Sequence, residues 1–188
     1  MMRAAAKSWN LGRFDARAFA ESGAAMEGEE RLAAFERLTD ERHADGEADP
    51  VVRWAVRGEM RSGSAGQASV WLHLQAWLDM PVACQRCLGA VTIPLEVDRW
   101  FRFVADEATA EAQDDESEED VLALEPRPDL LALIEDELLM AIPLVPMHEE
   151  CPQPLSSQGL SSSEGRDLPP EAVRPHPFAE LSRLKKQG

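Results

Sequence analysis

Cys84 and Cys87 form a CxxC pair in the string CQRCLG, and much further along His148 and Cys151 close the string LVPMHEEC. Three thiols and one imidazole make the donor set of a closed structural zinc site, in which two thiolates at a tight hairpin point the same way and a second pair arrives from elsewhere in the chain. Gly89 is expected to permit the hairpin turn. Zinc is the one cofactor these residues suggest, with Cys84, Cys87, His148 and Cys151 as its ligands. The residue types and spacing alone favour the plainer reading, that they are reduced, partly buried cysteines that serve packing. Thiol-disulfide catalysis would need the CxxC at the start of a helix, where the dipole lowers a thiol pKa, and strand patterns flank it on both sides instead. A Cys151–His148 hydrolase pair lacks an identifiable orienting group or oxyanion hole.

The elements that must position these residues follow from hydrophobic period. Val52, Trp54 and Val56 alternate with Arg53 and Arg57, and Val70, Leu72, Leu74, Ala76 and Leu78 alternate with Trp71, His73, Gln75, Trp77 and Asp79. Val91, Ile93, Leu95, Val97, Phe101 and Phe103 keep one register, broken only by Arg99. Period two over such lengths predicts an antiparallel meander from Val51 to Val104 with one covered face, and a flexible turn at Arg61 to Gln67. The CxxC then falls at a hairpin tip. Leu130, Ile134 and Leu138 make an apolar stripe on a helix that starts at Asp129, with Glu135, Asp136 and Glu137 on its remaining surface; Pro143 and Pro146 stop it. That helix should cover the sheet.

Towards the N-terminus, Asp15 to Ser22 reads as a capped short helix broken at Gly23, and Glu29 to Leu38 as a second helix built on Leu32, Phe35 and Leu38. Thr39 to Pro50 reads as a loop. Residues 106–120 hold nine acids and no Lys or Arg, which predicts a solvated acidic loop at 105–120. The fold class expected is therefore α+β: an antiparallel meander under one amphipathic helix, short N-terminal helices and a largely disordered C-terminal tail. Residues 1–151 form the domain. Residues 152–174 read as a disordered linker, because QPLSSQGLSSSEG cannot bury enough area to offset ordering entropy. Residues 175–188 read as a docking motif, with Pro177, Phe178, Leu181, Leu184, Lys185 and Lys186 as its partner-binding residues.

Charge restricts the partners. The net charge of −16 repels a phosphate backbone unless the basic residues gather on one surface, so DNA is not expected as a partner. No stretch is long and apolar enough for a transmembrane helix, and no membrane partner is expected. Arg3, Lys7 and Arg13 without a nearby acid give the start a transit-peptide flavour, but three cysteines without a secretory signal fit a reducing compartment, and the cytoplasm is the expected address. His73 reads as part of an outer strand face. Trp71, Trp77 and Trp100 read either as a stacking platform for RNA bases or, the reading favoured by the scarcity of nearby cations, as a small core packed beneath the N-terminal helices.

CQRCL at Cys84 to Leu88, LLALIEDELLMAIPLVPMHEEC at Leu130 to Cys151 and HPFAELSRLKK near the end together resemble the YceD family, the large ribosomal RNA subunit accumulation proteins of bacteria and plastids. The resemblance implies a non-enzymatic ribosome biogenesis factor needed for synthesis, processing or stability of large-subunit ribosomal RNA. It carries over no catalytic residues. An acidic member of such a family is expected to act indirectly, by binding a basic ribosomal protein or rRNA-processing factor, with RNA association following from that contact. The competing reading from another class is a zinc-stabilised adaptor or transcriptional regulator.

Overall fold

The computed structural model describes residues 9–46, 49–62, 68–114 and 117–152. The three alternating segments form the long strands β2 (Val51–Ser62), β3 (Ala68–Ala83) and β4 (Ala90–Asp106). They pair antiparallel, with Trp54 opposite Ala76, and Ala76 opposite Val97. Two shorter strands complete a five-stranded sheet in chain order: β1 (Ala25–Arg31) runs antiparallel to β2, and β5 (Asp120–Glu125) runs parallel to β4. The fold is α+β, as expected, but the sheet is larger than the predicted meander and not wholly antiparallel.

One face of the sheet is buried because every second residue is apolar. Val52, Trp54 and Val56, then Val70 through Val82 in alternate positions, and Leu95, Val97, Phe101 and Phe103 are all buried. Arg99 interrupts this register and pairs with Asp120 of β5. Helix α1 (Ala16–Glu21) lies against β2 and β3, capped by the Asp15 carboxylate, which accepts from the Ala18 N–H. Helix α4 (Leu130–Ala141) is started by Asp129, which accepts from the Leu131 and Ala132 N–H groups. Its stripe of Leu130, Ile134 and Leu138 is fully buried, which contributes about 2 kcal/mol per side chain relative to exposure. This helix covers β3 and β4, as predicted.

The helix expected at Glu29 to Leu38 does not form. Residues 25–31 are β1 instead, followed by a 3-10 turn at Leu32–Ala34 and the short helix α2 (Glu36–Glu41). Leu32, Phe35 and Leu38 are core residues, but the turn and α2 share them. An i, i+3 spacing serves a tightened turn as well as a helix. β1 tolerates Glu27 and Glu29 because it is an edge strand with one solvated face. Gly28 is required where it stands: a Cβ there would come 2.4 Å from Trp54 Cζ2.

Two of the acids expected on the surface of α4 are buried. Glu135 accepts from the Arg37 and Leu38 N–H groups at 2.7 and 3.2 Å and so caps α2 from outside, while its second oxygen pairs with the Arg37 guanidinium. Glu137 is only 6% exposed, and that burial pushes its carboxyl pKa up. The predicted acidic loop at 105–120 is also corrected: Glu107–Asp114 is a helix, α3, and Asp120 opens β5. The Asp106 carboxylate accepts from the Thr109 N–H and hydroxyl, and its pKa is lowered by those bonds. Arg102 supplies counter-charge from β4 by bonding Gln113, Ser117 and Glu119.

The two sheet faces are therefore unequal. Trp71, Trp77 and Trp100 lie on the side away from α1, because their cross-strand partners are Glu59, Arg53 and His73 rather than core residues. The reading that packed them beneath the N-terminal helices is overturned. His73 is on this outer face, as expected, stacked on Trp100 at 4.4 Å and bonded to Asp98, whose pKa the imidazole lowers. The linker at 152–174 beyond Pro152 and the docking motif at 175–188 lie outside the described residues.

Helix α1 crosses β2 at close range, with its backbone against a glycine. A Cβ at Gly58 would fall 2.6 Å from Phe19 Cδ1 and 2.8 Å from the Ala20 Cα. Backbone cannot yield as a side chain does, so Gly58→Ala is expected to cost about 1–3 kcal/mol. Thermal unfolding against Gly12→Ala, where the nearest contact is an ordinary 3.6 Å, should show a lowered midpoint for Gly58→Ala alone.

Candidate metal centre

β3 and β4 extend six residues beyond the last β2 partner of β3, Trp77 opposite Arg53, and their tip carries the CxxC. Cys84 to Gly89 form the turn: the Cys84 N–H donates to the Gly89 carbonyl at 2.9 Å and the Leu88 N–H to the Cys84 carbonyl at 2.8 Å. The left-handed position is Leu88, with φ of 62°, and not the glycine expected to permit the turn. A side chain in that region costs on the order of 1 kcal/mol, and the surrounding contacts hold it there. The Leu88 carbonyl accepts from His43 Nε2 at 3.1 Å, and the Gln85 N–H donates to the Pro146 carbonyl at 2.8 Å.

That last bond brings the segment after α4 onto the tip. Proline at 143 and 146 ends the helix and leaves an extended strap that delivers His148 and Cys151. One donor atom from each of Cys84, Cys87, His148 and Cys151 lies within 4.8 Å of all the others. The structure thus assembles all four residues singled out by donor chemistry. Cys84 and Cys151 sulfurs are 3.9 Å apart, and Cys87 Sγ is 3.5 Å from His148 Nδ1. Tetrahedral bonds of about 2.3 Å to sulfur and 2.0 Å to nitrogen would place such pairs about 3.8 and 3.5 Å apart. The arrangement could hold a metal ion.

The imidazole is set for that role. His148 Nε2 lies 3.0 Å from the Ala90 carbonyl, which can only accept, so Nε2 carries the proton and Nδ1 presents its lone pair to the cluster. All three cysteines are free, and the 3.9 Å separation is far outside a disulfide bond. Burial raises the Cys84 thiol, but N–H groups of Cys87, His148 and Arg86 outweigh it and bring the pKa down to about 5. Cys84 is thus held in the thiolate form that ligates metal. At Cys87 the Gly89 N–H acts downward, yet burial and the neighbouring sulfurs push the pKa up. The sulfur within reach of His148 Nδ1 is that of Cys87, whereas Cys151 Sγ accepts from Arg86 Nε. The CxxC also sits at a strand end, away from any helix start that would favour redox catalysis.

Arg86 is a functional residue that donor counting misses. Its Nε donates to Cys151 Sγ at 3.1 Å, and a terminal nitrogen bonds the His148 and Glu149 carbonyls at 2.8 and 3.2 Å. It clamps the strap to the knuckle and offsets thiolate charge. A cation between two cysteines is the signal available in the sequence; the brace from His43 leaves none. Pro177, Phe178, Leu181, Leu184, Lys185 and Lys186 lie outside the described residues.

Four protein donors would fill the coordination of a tetrahedral ion, the pattern of a closed structural site rather than an open catalytic one. Titration with Co²⁺ is expected to give tetrahedral thiolate absorption that saturates at one ion per chain. Cys84→Ser should weaken uptake at least roughly tenfold, as loss of one of four ligands does, and Gly12→Ala should leave it unchanged.

Comparison with known proteins bears on the same elements. The family model described as large ribosomal RNA subunit accumulation protein YceD matches residues 72–185. The large ribosomal RNA subunit accumulation protein YceD of Haemophilus influenzae is 34% identical over 113 residues, covering 58% of this chain and 62% of that protein. The aligned part thus spans less than two thirds of that relative. No solved structure matches the chain.

Proposed function

We infer, from the premise that the chain belongs to the YceD family of large ribosomal RNA subunit accumulation proteins, that it is a ribosome biogenesis factor supporting synthesis, processing or stability of large-subunit ribosomal RNA. The observation that carries this reading is the family match over residues 72–185, which takes in the hairpin, its tip, α4 and the strap. The chain acts by binding, not catalysis. In support, the residues with the most reactive chemistry converge on a closed four-donor cluster, which suits a scaffold and leaves no position for substrate.

The ion this reading assigns to the cluster is zinc, since three thiolates and an imidazole in tetrahedral spacing favour it over hard cations. Its role is to fasten the strap to the hairpin tip. No helix among the described residues is long and apolar enough to cross a membrane, and the place of action that goes with ribosome assembly is the cytoplasm. The net charge of −16 favours a basic ribosomal protein or rRNA-processing factor as the direct partner, with RNA held through it.

Cells lacking the protein are expected to show a lowered ratio of large-subunit to small-subunit ribosomal RNA, restored by the wild-type chain. Affinity capture should recover a basic ribosomal or processing protein that survives ribonuclease treatment. An unchanged RNA ratio would contradict the function, and recovery abolished by ribonuclease would contradict indirect association.

A further inference from the structure

The outer face of the β1–β4 sheet carries a chemistry that the metal centre does not use. Trp71, Trp77 and Trp100 stand on it, and among the described residues the only helix on that side is α3, packed at the β4–β5 edge. Tryptophans on a solvated strand face expose apolar area at a cost unless something covers them.

Two of the three are already occupied, by a guanidinium of the chain itself. Arg61 lies 4.2 Å from the Trp71 ring centroid and 3.8 Å from that of Trp100, and Glu59 pairs with the same arginine. The face therefore seats a planar cation between indoles with a carboxylate beside it. Trp77 repeats the elements, with Arg53 opposite it on β2 and no guanidinium stacked on its ring among the described residues. It forms a wall of two shallow depressions, of about 570 and 320 Å³. Glu27 and Glu29 line the first, and Asp79 and Glu96 line the second. Arg53 borders both and has no ion pair among the described residues; the four carboxylates outnumber it.

We propose that the Trp77 region of the outer sheet face is the docking surface for an arginine- or lysine-rich segment of a basic protein, with a partner cation stacked on Trp77 and its neighbours paired to Glu27, Glu29, Asp79 and Glu96. Charge decides between occupants. At Trp77 the outward acids Glu27, Glu29, Asp79 and Glu96 face Arg53, while Arg31, Arg57, Arg61 and Arg102 lie elsewhere on the same face with Glu59 and Asp98, so phosphates are disfavoured at Trp77 whereas a cationic peptide gains both stacking and ion pairing. Aromatic centres ringed by charge are where interface energy concentrates. The inference deepens the proposed function by locating its basic partner.

The test is fluorescence anisotropy of labelled oligoarginine on the full chain at several salt concentrations, with labelled oligouridylate as the second probe. Trp77→Ala leaves net charge unchanged and should weaken oligoarginine at least roughly tenfold. The double change Glu29→Gln and Glu96→Gln, which leaves the core untouched, should also weaken it and flatten its salt dependence. Glu111→Gln on α3 should bind as wild type. Oligoarginine binding insensitive to Trp77→Ala and to the double change would overturn the proposal as general charge attraction. Oligouridylate binding that is lost with Trp77→Ala would overturn it in favour of RNA. Neither readout uses ribosomal RNA levels, so a failure here is separable from a failure of the functional reading.

Discussion

The β3–β4 ladder is the constraint on which the rest of the molecule depends. It runs unbroken from Val70 opposite Phe103 to Ala83 opposite Ala90, and it does three things at once. One face carries the apolar register that α1 and α4 cover. The other holds the tryptophans and arginines outward. Its far end extends past β2 and would be an isolated two-stranded ribbon, which is marginal in water. The His148–Cys151 strap and the His43 loop are what brace that end, through the four-donor cluster, the Gln85 bond to Pro146 and the Leu88 bond to His43. Position in the fold thus explains why the reactive residues sit where they do: they hold a strand end that β2 does not reach.

Charge is used structurally before it is used for recognition. In an acidic chain, an exposed carboxylate adds repulsion, whereas a carboxylate that caps a helix or pairs with a guanidinium offsets it. Glu135 of α4 closes the bare N-terminus of α2 and simultaneously grips Arg37. Asp15, Asp106 and Asp129 accept from helix-start N–H groups. Arg102 draws Gln113, Ser117 and Glu119 down onto β4. Among the described residues, Glu27, Glu29, Asp79 and Glu96 are not used in this way and stand on outward positions of β1, β3 and β4.

Legibility in the sequence followed how local each determinant is. β2, β3, β4 and α4 were readable because their apolar periods are long, and Asp15 and Asp129 announced their helices as caps. β1 was not, since AMEGEER shows no apolar alternation and pairs only because β2 offers an edge; Leu32, Phe35 and Leu38 then imitated a helix. β5 is six residues long and borrows its order from β4. α3 hid within a run of acids because Arg102, which bonds Gln113 of α3 and pairs with Glu119, comes from β4. The four metal-type donors were legible from residue type alone, while their convergence, the clamp by Arg86 and the left-handed Leu88 depend on the strap reaching the tip. Trp77 was visible but assignable to a face only once the register was known.

A metal held by Cys84, Cys87, His148 and Cys151 would fasten the strap to the end of the ladder. Hydrogen exchange of the intact protein, measured before and after metal removal with a strong chelator, tests it most directly. Faster exchange is expected at Gln85, Leu88 and residues 142–151, with the centre of β3 and β4 still protected. Unchanged exchange at the tip after verified metal loss, or no metal to remove, would contradict it.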